Sequence, residues 1–383
     1  MVQLTAAEQS TVDSLLECIG SAIQQLETVD PTYANKTKLQ KLLYLAIDEF
    51  DLSITYSWYL AGAVLPDDSA TPANLQSTID DLPRPDSPSA PATDEGQLDN
   101  MMADTSIATS PDMGEMGPDD IEIDDEPDDP IQSPESKSEI LDPILFSDDK
   151  GPAEDADPLE GKREDVVDFY VSTIPDVWGQ NTMRFLQNFY LEHAPEEFRE
   201  LYVQSTHLRT RLRDVEKTVD AHLYGDNPEQ ELSELTVEIG RDISDLHCSI
   251  RESEVLTETF KPVVRGTDSI EDGLMMLAER GPEDFQEEHL KTVETMQEFF
   301  YYWVWRYPCL IISRETATGP CAGSLRESRR DQLETFEDEL LNRIAAFEEE
   351  LTSAGLLPGP DDYHAVGDEV DDAITSLADQ YFK

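Results

Sequence analysis

The sequence predicts a mainly α-helical protein. It would have a small N-terminal helical unit (winged-helix-like as one option), a disordered acidic linker, and a C-terminal helical bundle containing an antiparallel helical hairpin. Three observations predict this. Apolar residues recur at three- and four-residue spacing through most of the chain. Residues 66–160 are dominated by Pro, Asp, Ser, Ala and Glu and are almost free of aromatics. Two apolar stripes, over 201–223 and 232–250, flank the stop signal Gly225-Asp226-Asn227-Pro228. The predicted organisation is therefore 1–65, 66–160 and 161–383.

The first unit opens on Thr5, an N-cap with Glu8 three places on, which is a capping-box pattern. Val12, Leu15, Leu16, Ile19, Ile23 and Leu26 continue at helical spacing, and Asp30-Pro31 ends the helix. A second helix is predicted from about Asn35 to Phe50, with Leu39, Leu42, Leu43, Ala46 and Phe50 on one side. Residues 52–60 are rich in β-branched and aromatic types, so a short strand and a third short helix both fit. In the linker, too little apolar surface is available to offset about 1–2 kcal/mol of chain entropy per residue. One apolar island, Ile140 to Phe146, has the form of a docking motif or of a chance cluster.

Beyond the linker, Asp165–Ile174 and Met183–Tyr190 read as helical turns around Pro175. Leu201, Ser205, Leu208, Leu212, Val215, Val219 and Leu223 form an a/d seam of coiled-coil type. Leu232, Leu235, Ile239, Ile243, Leu246 and Ile250 repeat it, so 201–250 reads as a hairpin that also offers a homodimer interface. Helices are further expected over Phe285–Arg306, ending before Pro308, over Asp331–Leu351, and over Val370–Phe382. The aromatic run Phe299–Trp305 is apolar on all sides, which fits the centre of a bundle and is too short to span a bilayer.

Charge bounds the environment. The chain has 84 Asp and Glu against 27 Lys and Arg, a net charge of −57. Residues 66–160 hold 28 acids and 3 bases, so the remaining 56 acids and 24 bases leave the folded parts strongly acidic too. At molar salt the Debye length falls to ~3 Å and such self-repulsion is screened. Only 10 of the 27 bases are Lys. This is the signature of a halophilic, acidic proteome; the competing reading is an acidic interaction protein at ordinary salt. Acidity of environmental origin says little about partners. With no basic, apolar leader at Met1 and four scattered cysteines, Cys18, Cys248, Cys309 and Cys321, the expected compartment is the cytoplasm.

No chemistry declares itself. Neither Cys309 with Cys321 nor His247 with Cys248 has zinc-ligand spacing, and the sequence lacks GxSxG, HExxH, GxxxxGK[ST] and GxGxxG. No catalytic residue, cofactor or metal is predicted, and the protein is expected not to be an enzyme. The few basic spots stand out instead: Lys36, Lys38 and Lys41, then Arg209, Arg211 and Arg213, then Arg326, Arg329 and Arg330. They suit phosphate contacts. For the arginines, same-helix pairing with Glu216, Glu327 and Glu334 is the plainer reading.

The string Thr37-Lys38-Leu39-Gln40-Lys41-Leu42-Leu43-Tyr44-Leu45-Ala46, with Phe50, Thr55-Tyr56-Ser57-Trp58-Tyr59-Leu60 and Gly62, resembles the opening of the Panacea domain of SocA-like antitoxins. It resembles more closely still a group of haloarchaeal proteins with the same opening. Where Panacea proteins carry a Gly-Pro-Tyr-like turn, this chain reads Ala61-Gly62-Ala63-Val64. The resemblance implies a non-catalytic protein-binding module of regulatory type. Candidate partner-binding residues are Lys38, Lys41, Tyr56, Trp58 and Tyr59, with core packing the competing role for the aromatics. The expected function is a non-enzymatic protein-interaction or regulatory protein, antitoxin-like in one form. The alternatives are a DNA-binding regulator that uses residues 1–65, and an unrecognised enzyme.

Overall fold

The computed structural model describes residues 2–26, 35–66, 71–82, 158–225, 230–281 and 284–357. The apolar island at 140–146, the Asp30-Pro31 break, the Asn227-Pro228 turn and the 370–382 helix lie outside them, as does most of the expected linker. The described residues are mainly helical, with one two-stranded sheet.

Among the described residues, eleven α-helices and two strands run in chain order: α1 Ala6–Gln25, α2 Lys36–Glu49, β1 Ser57–Tyr59, β2 Gly62–Val64, α3 Pro72–Asp81, α4 Arg163–Trp178, α5 Thr182–His193, α6 Arg199–Tyr224, α7 Leu232–Glu252, α8 Phe260–Ala278, α9 Glu287–Phe299, α10 Arg306–Thr316 and α11 Ala322–Ser353. A 3-10 segment, Glu254–Thr259, precedes α8, and a π-helical turn, Phe300–Val304, joins α9 to α10.

These elements form two compact units. One comprises Met1–Glu8, Tyr44–Asp68 and Thr182–Lys383; the other comprises Gln9–Leu43 and Ser69–Asn181. The division differs from the 1–65, 66–160, 161–383 scheme. Both α1 and α2 contribute residues to each unit. Helix α3 also lies inside the stretch expected to be linker. Thr71 caps it by accepting from Asn74 N at 3.2 Å, Pro72 starts it, and Leu75 is 1% exposed.

In the smaller unit, Asn35 caps α2 by accepting from Lys38 N at 2.8 Å, at the predicted start. Tyr170 of α4 donates to Leu42 O at 3.4 Å, and Arg163 pairs with Glu17 of α1. A Cβ at Gly20 would meet Leu82 Cδ1 at 2.8 Å, so this glycine lets α1 pass close beside the end of α3.

In the larger unit, α6 and α7 form the predicted hairpin. Its a/d residues are spent internally: Leu208, Leu212, Val215, Val219, Leu235 and Ile239 are each 0% exposed. The stripe serves the chain's own core rather than an open dimer seam. Arg211 of α6 ties the pair by ionic contacts to Glu238 and Asp242 of α7. Helix α8 is hidden from apolar periodicity because Pro262, Gly266 and Gly273 interrupt its pattern. Pro262 falls in the first turn, where its missing N–H costs nothing. The two glycines give close approach: a Cβ at Gly266 would meet Val304 at 2.7 Å, and one at Gly273 would meet Met296 at 2.9 Å.

The expected helix end before Pro308 is also corrected. The chain widens into the π turn, where Trp305 N donates to Phe300 O at 2.7 Å, and resumes as α10 with Pro308 in its first turn. Helix α11 begins nine residues earlier than expected, directly after a tight turn at Gly319. There φ is +94°, and a Cβ would lie 2.5 Å from the Thr55 Cα.

The Thr5–Glu8 capping box is present. Glu8 N donates to Thr5 Oγ1 at 3.2 Å, and Thr5 N donates to Glu8 Oε2 at 2.8 Å. The carboxylate does more than cap. Its Oε1 accepts from Thr55 N at 2.7 Å, and Cys321 Sγ lies 3.4 Å from Oε2. Cys321 N in turn donates to Thr55 Oγ1 at 2.7 Å. Glu8 is 2% exposed. Burial pushes its pKa up, but the hydrogen bonds from Thr55 and Thr5 outweigh this and hold it below the usual carboxylate range.

Glu8→Gln, which strips the charge from these bonds, is therefore expected to lower stability by roughly 1.5–3 kcal/mol, read as a shifted urea midpoint at fixed salt. The same carboxylate sets a pH dependence. The folded pKa of Glu8 is depressed, so its contribution is present above the unfolded value of 4.5 and is lost as pH falls through the folded value. Glu271, Asp272 and Glu294 behave oppositely. Burial, and then neighbouring acids, raise their pKa values, so their contribution is largest when protonated and is lost as pH rises through those values. Stability at moderate salt is expected to rise on mild acidification from neutrality, then fall once Glu8 protonates. The acid-side fall should be absent in the Gln variant.

Candidate anion-binding site

The strip singled out in the sequence, residues 56–59, contains a strand of a hairpin. Ser57 pairs with Val64, Trp58 with Ala63, and Tyr59 with Gly62, around a two-residue turn. The hairpin is clamped by α6, α10 and the 316–321 turn. Tyr56 and Thr318 exchange backbone bonds at 3.2 and 3.0 Å. Ser57 Oγ meets Ser313 Oγ at 2.8 Å, and Trp58 N donates to Thr316 Oγ1 at 2.9 Å. Tyr202 OH donates to Tyr59 O at 2.9 Å, and Trp305 Nε1 to Leu60 O at 3.1 Å.

Trp58 is 2% exposed and packs among the rings of Tyr44, Phe189, Tyr190 and Tyr202. Tyr56 is half-buried against Tyr44, and Tyr59 is 9% exposed. Lys38 is 6% exposed and donates to Gln180 O at 2.9 Å, and Lys41 is 0% exposed. Four of the five sequence candidates are thus buried, and Tyr56 is half-buried. Their burial comes from Thr37 to Tyr44 being enclosed on every side of α2, polar positions included, which apolar periodicity does not reveal.

What does reach towards solvent is a set of three half-buried arginines from three helices of the larger unit. Arg209 of α6 lies over the Tyr301 ring at 3.7 Å. Arg306, the first residue of α10, lies over Phe336 at 5.3 Å. Arg329 of α11 lies over Tyr59 at 4.2 Å and is braced by Nε donating to Ser313 Oγ at 2.9 Å and Nη1 to Gln332 Oε1 at 2.7 Å. The π turn sets the register by which Tyr301 meets Arg209 while Arg306 comes one turn on. Arg209 therefore lies over an aromatic face of another element rather than on an acid of its own helix, whereas Arg329 combines such a face with the bond to Gln332 of its own helix. Arg326 likewise donates to Ala317 O at 2.5 Å.

The arginines act on buried phenol and thiol groups of the larger unit. Burial pushes the Tyr59 phenol up, and Arg306 and Arg329 both oppose that. Burial keeps the Cys309 thiol well above its ordinary value, against the pull of Arg329 and Arg209. Burial likewise holds Tyr190 well above its usual value, with Arg209 opposing. Cys309 and these phenols are therefore neutral near neutrality. They serve as uncharged buried groups rather than as a nucleophile or a base. Among the described residues neither Arg209 nor Arg306 has a carboxylate at ion-pair distance, and the Arg306 Nε is buried without a hydrogen-bond partner. Such a donor costs roughly 1–3 kcal/mol.

Over residues 1–383 the sequence matches the family described as Domain of unknown function (DUF8098). The chain belongs to this family. The match runs through both compact units, so neither is an addition to a separate domain. No curated protein and no solved structure is detectably similar. Among the described residues no group of three or more His, Cys, Asp and Glu is arranged to hold a metal ion, and no helix is long and apolar enough to cross a membrane. Arg209 and Arg329 stand out in the sequence as members of local basic clusters, whereas Arg306 stands alone. The available signal is subtler: an arginine directly after a run of aromatics, in a chain where bases are scarce.

Proposed function

We propose that this protein is a non-enzymatic interaction or regulatory protein of a salt-rich cytoplasm, and that it engages its partner through the Arg209–Arg306–Arg329 face. One observation carries the reading. In a chain with 84 acidic residues, Arg209 and Arg306 have no carboxylate at ion-pair distance among the described residues and lie over aromatic rings instead. A ring on one face of a guanidinium fixes it and leaves its N–H edge for recognition. The Panacea-like opening, which implies a regulatory binding module, supports the same reading. A DNA reader built on Lys38 and Lys41 has less support, since both side chains are enclosed. The α6–α7 stripe is also a poor homodimer surface, because it is buried within the chain.

Purification at molar salt from the native cells tests this. A defined partner is expected to co-elute with the wild-type chain and to be lost from Arg209→Gln/Arg306→Gln/Arg329→Gln while the helical circular dichroism signal at molar salt is retained. Recovery of a partner-free monomer, or co-elution indifferent to the three substitutions, counts against it.

A further inference from the structure

We propose that His289 is an acid-sensitive latch joining the start of α9 to the end of α11. Its ring closes a capping box. Gln286 N donates to His289 Nδ1 at 3.2 Å, and the Gln286 side chain accepts from the His289 backbone N–H. A backbone amide can only donate, so Nδ1 is bare and the ring's hydrogen sits on Nε2. The ring donates in turn to the Ala354 carbonyl, directly past α11. Arg280, past the end of α8, donates to the next carbonyl, Gly355. Two consecutive carbonyls are thus held from outside α11. Leu356 follows them, 0% exposed, and donates its N–H to Leu351 O at 2.8 Å.

A second ring proton, taken from water, lands on Nδ1. It turns the acceptor of the Gln286 N–H into a donor and sets an imidazolium beside Arg280. The ring is 3% exposed, so water cannot screen either clash in place. Swinging the ring out relieves both, and it frees the α9 cap and the Ala354 carbonyl together. A capping box ordinarily carries Glu or Gln at this position, which stays an acceptor at neutral and mildly acidic pH. Histidine moves the failure into the range where imidazoles titrate.

The neighbouring charges set the direction. Burial, then Arg280, hold His289 below its ordinary value, while the Ala354 bond and Glu288 of its own helix oppose this. On α11, Glu350 is engaged by Arg343. Phe285 stands edge-on between His289 and His222 of α6. His222 Nδ1 lies 2.7 Å from Thr218 O, and a carbonyl only accepts, so His222 keeps that bond when protonated. The folded value of His289 is depressed. The latch is therefore present above the unfolded value of 6.5 and lost as pH falls through the folded one. Glu271, Asp272 and Glu294 act in the opposite direction, so the latch is read at its own amides rather than from global stability.

The test takes the full chain in molar potassium chloride from about pH 7.5 to about pH 5, which brackets the ordinary imidazole value. Ring 15N shifts follow each histidine. Hydrogen exchange, corrected for intrinsic rates, follows the amides of Gln286, Gly355 and Leu356. Protection at these amides is expected to fall about tenfold or more, with the midpoint at which the His289 ring titrates. In His289→Gln, which keeps an acceptor and a donor but does not titrate, protection should be independent of pH. Arg280→Gln should move the His289 midpoint towards neutrality, and His222→Gln should leave it in place. Unchanged protection in the wild type, an equal fall in His289→Gln, or a fall that vanishes in His222→Gln overturns the proposal. Where a variant folds poorly, the wild-type protein decides alone: a His289 ring that titrates without loss of protection at these amides, or whose Nδ1 is protonated at neutral pH, refutes the latch.

Discussion

Transfer from molar salt to about a tenth molar is expected to unfold the protein cooperatively, with loss of the helical circular dichroism signal. Its 57 unmatched acids are the reason, and 32 of them lie outside residues 66–160. Two carboxylates ~8 Å apart in water repel by ~0.5 kcal/mol before screening. At a Debye length of ~10 Å about half of that survives, and at ~3 Å less than a tenth does. Tens of such pairs then amount to a term on the order of the whole stability of a folded protein, about 5–15 kcal/mol. The crowding is visible locally. Glu294 feels Glu216, Glu298 and Asp220, while Glu271 and Asp272 both feel Asp268.

Few cations offset it, since bridges such as Arg343–Glu350 and Lys217–Asp214 are partly exposed and each is worth less than about 1 kcal/mol. Potassium chloride and sodium chloride at equal ionic strength should protect alike if screening is the cause. A melting temperature unchanged between a tenth molar and molar salt would sink the halophilic reading. Glu271→Gln should shift the required salt downward, since it removes a carboxylate that is both partly desolvated and crowded.

Much of the fold was legible because local chemistry set it. The Thr5–Glu8 box, the Asn35 cap and the α6–α7 stripes each arise from a few neighbouring residues, and each lies where the spacing put it. What escaped depends on partners distant in sequence. The apolar pattern of helix α8 is interrupted by Gly266 and Gly273, which pack against Val304 and Met296. The π turn shifts register within a continuous aromatic run and leaves no periodic trace. The arginine positions were half legible. Arg209 and Arg329 stand out as scarce bases, but their aromatic seats, Tyr301 and Tyr59, come from other elements. Lys38 and Lys41 mislead for the complementary reason. A lysine three residues from another on a helix otherwise carrying leucines reads as a solvent face, and only the surrounding fold reveals that α2 is enclosed there.

That enclosure sets the second large effect: Lys41→Glu is expected to abolish folding, or to cost more than about 4 kcal/mol. Lys41 is 0% exposed, so protein groups solvate its ammonium, and a carboxylate in the same enclosure meets oxygens where it needs donors. Lys41→Met keeps the apolar stem but strands those groups, at about 3 kcal/mol. Lys38→Met should cost only about 1 kcal/mol. It removes the bond to Gln180 O, in a stretch where Gln180 and Asn181 are not fully buried and water can take the lysine's place. The order Lys38→Met, Lys41→Met, Lys41→Glu is read from urea midpoints at constant molar salt. A Lys41→Glu protein as stable as wild type would refute the enclosure. The ranking also bears on function. Loss of any binding activity on reversing these two lysines would result from unfolding alone, whoever the partner is. Discriminating tests therefore belong at Arg209, Arg306 and Arg329, which are half-buried and can be neutralised to Gln without leaving an enclosed countercharge behind at Arg209 and Arg306.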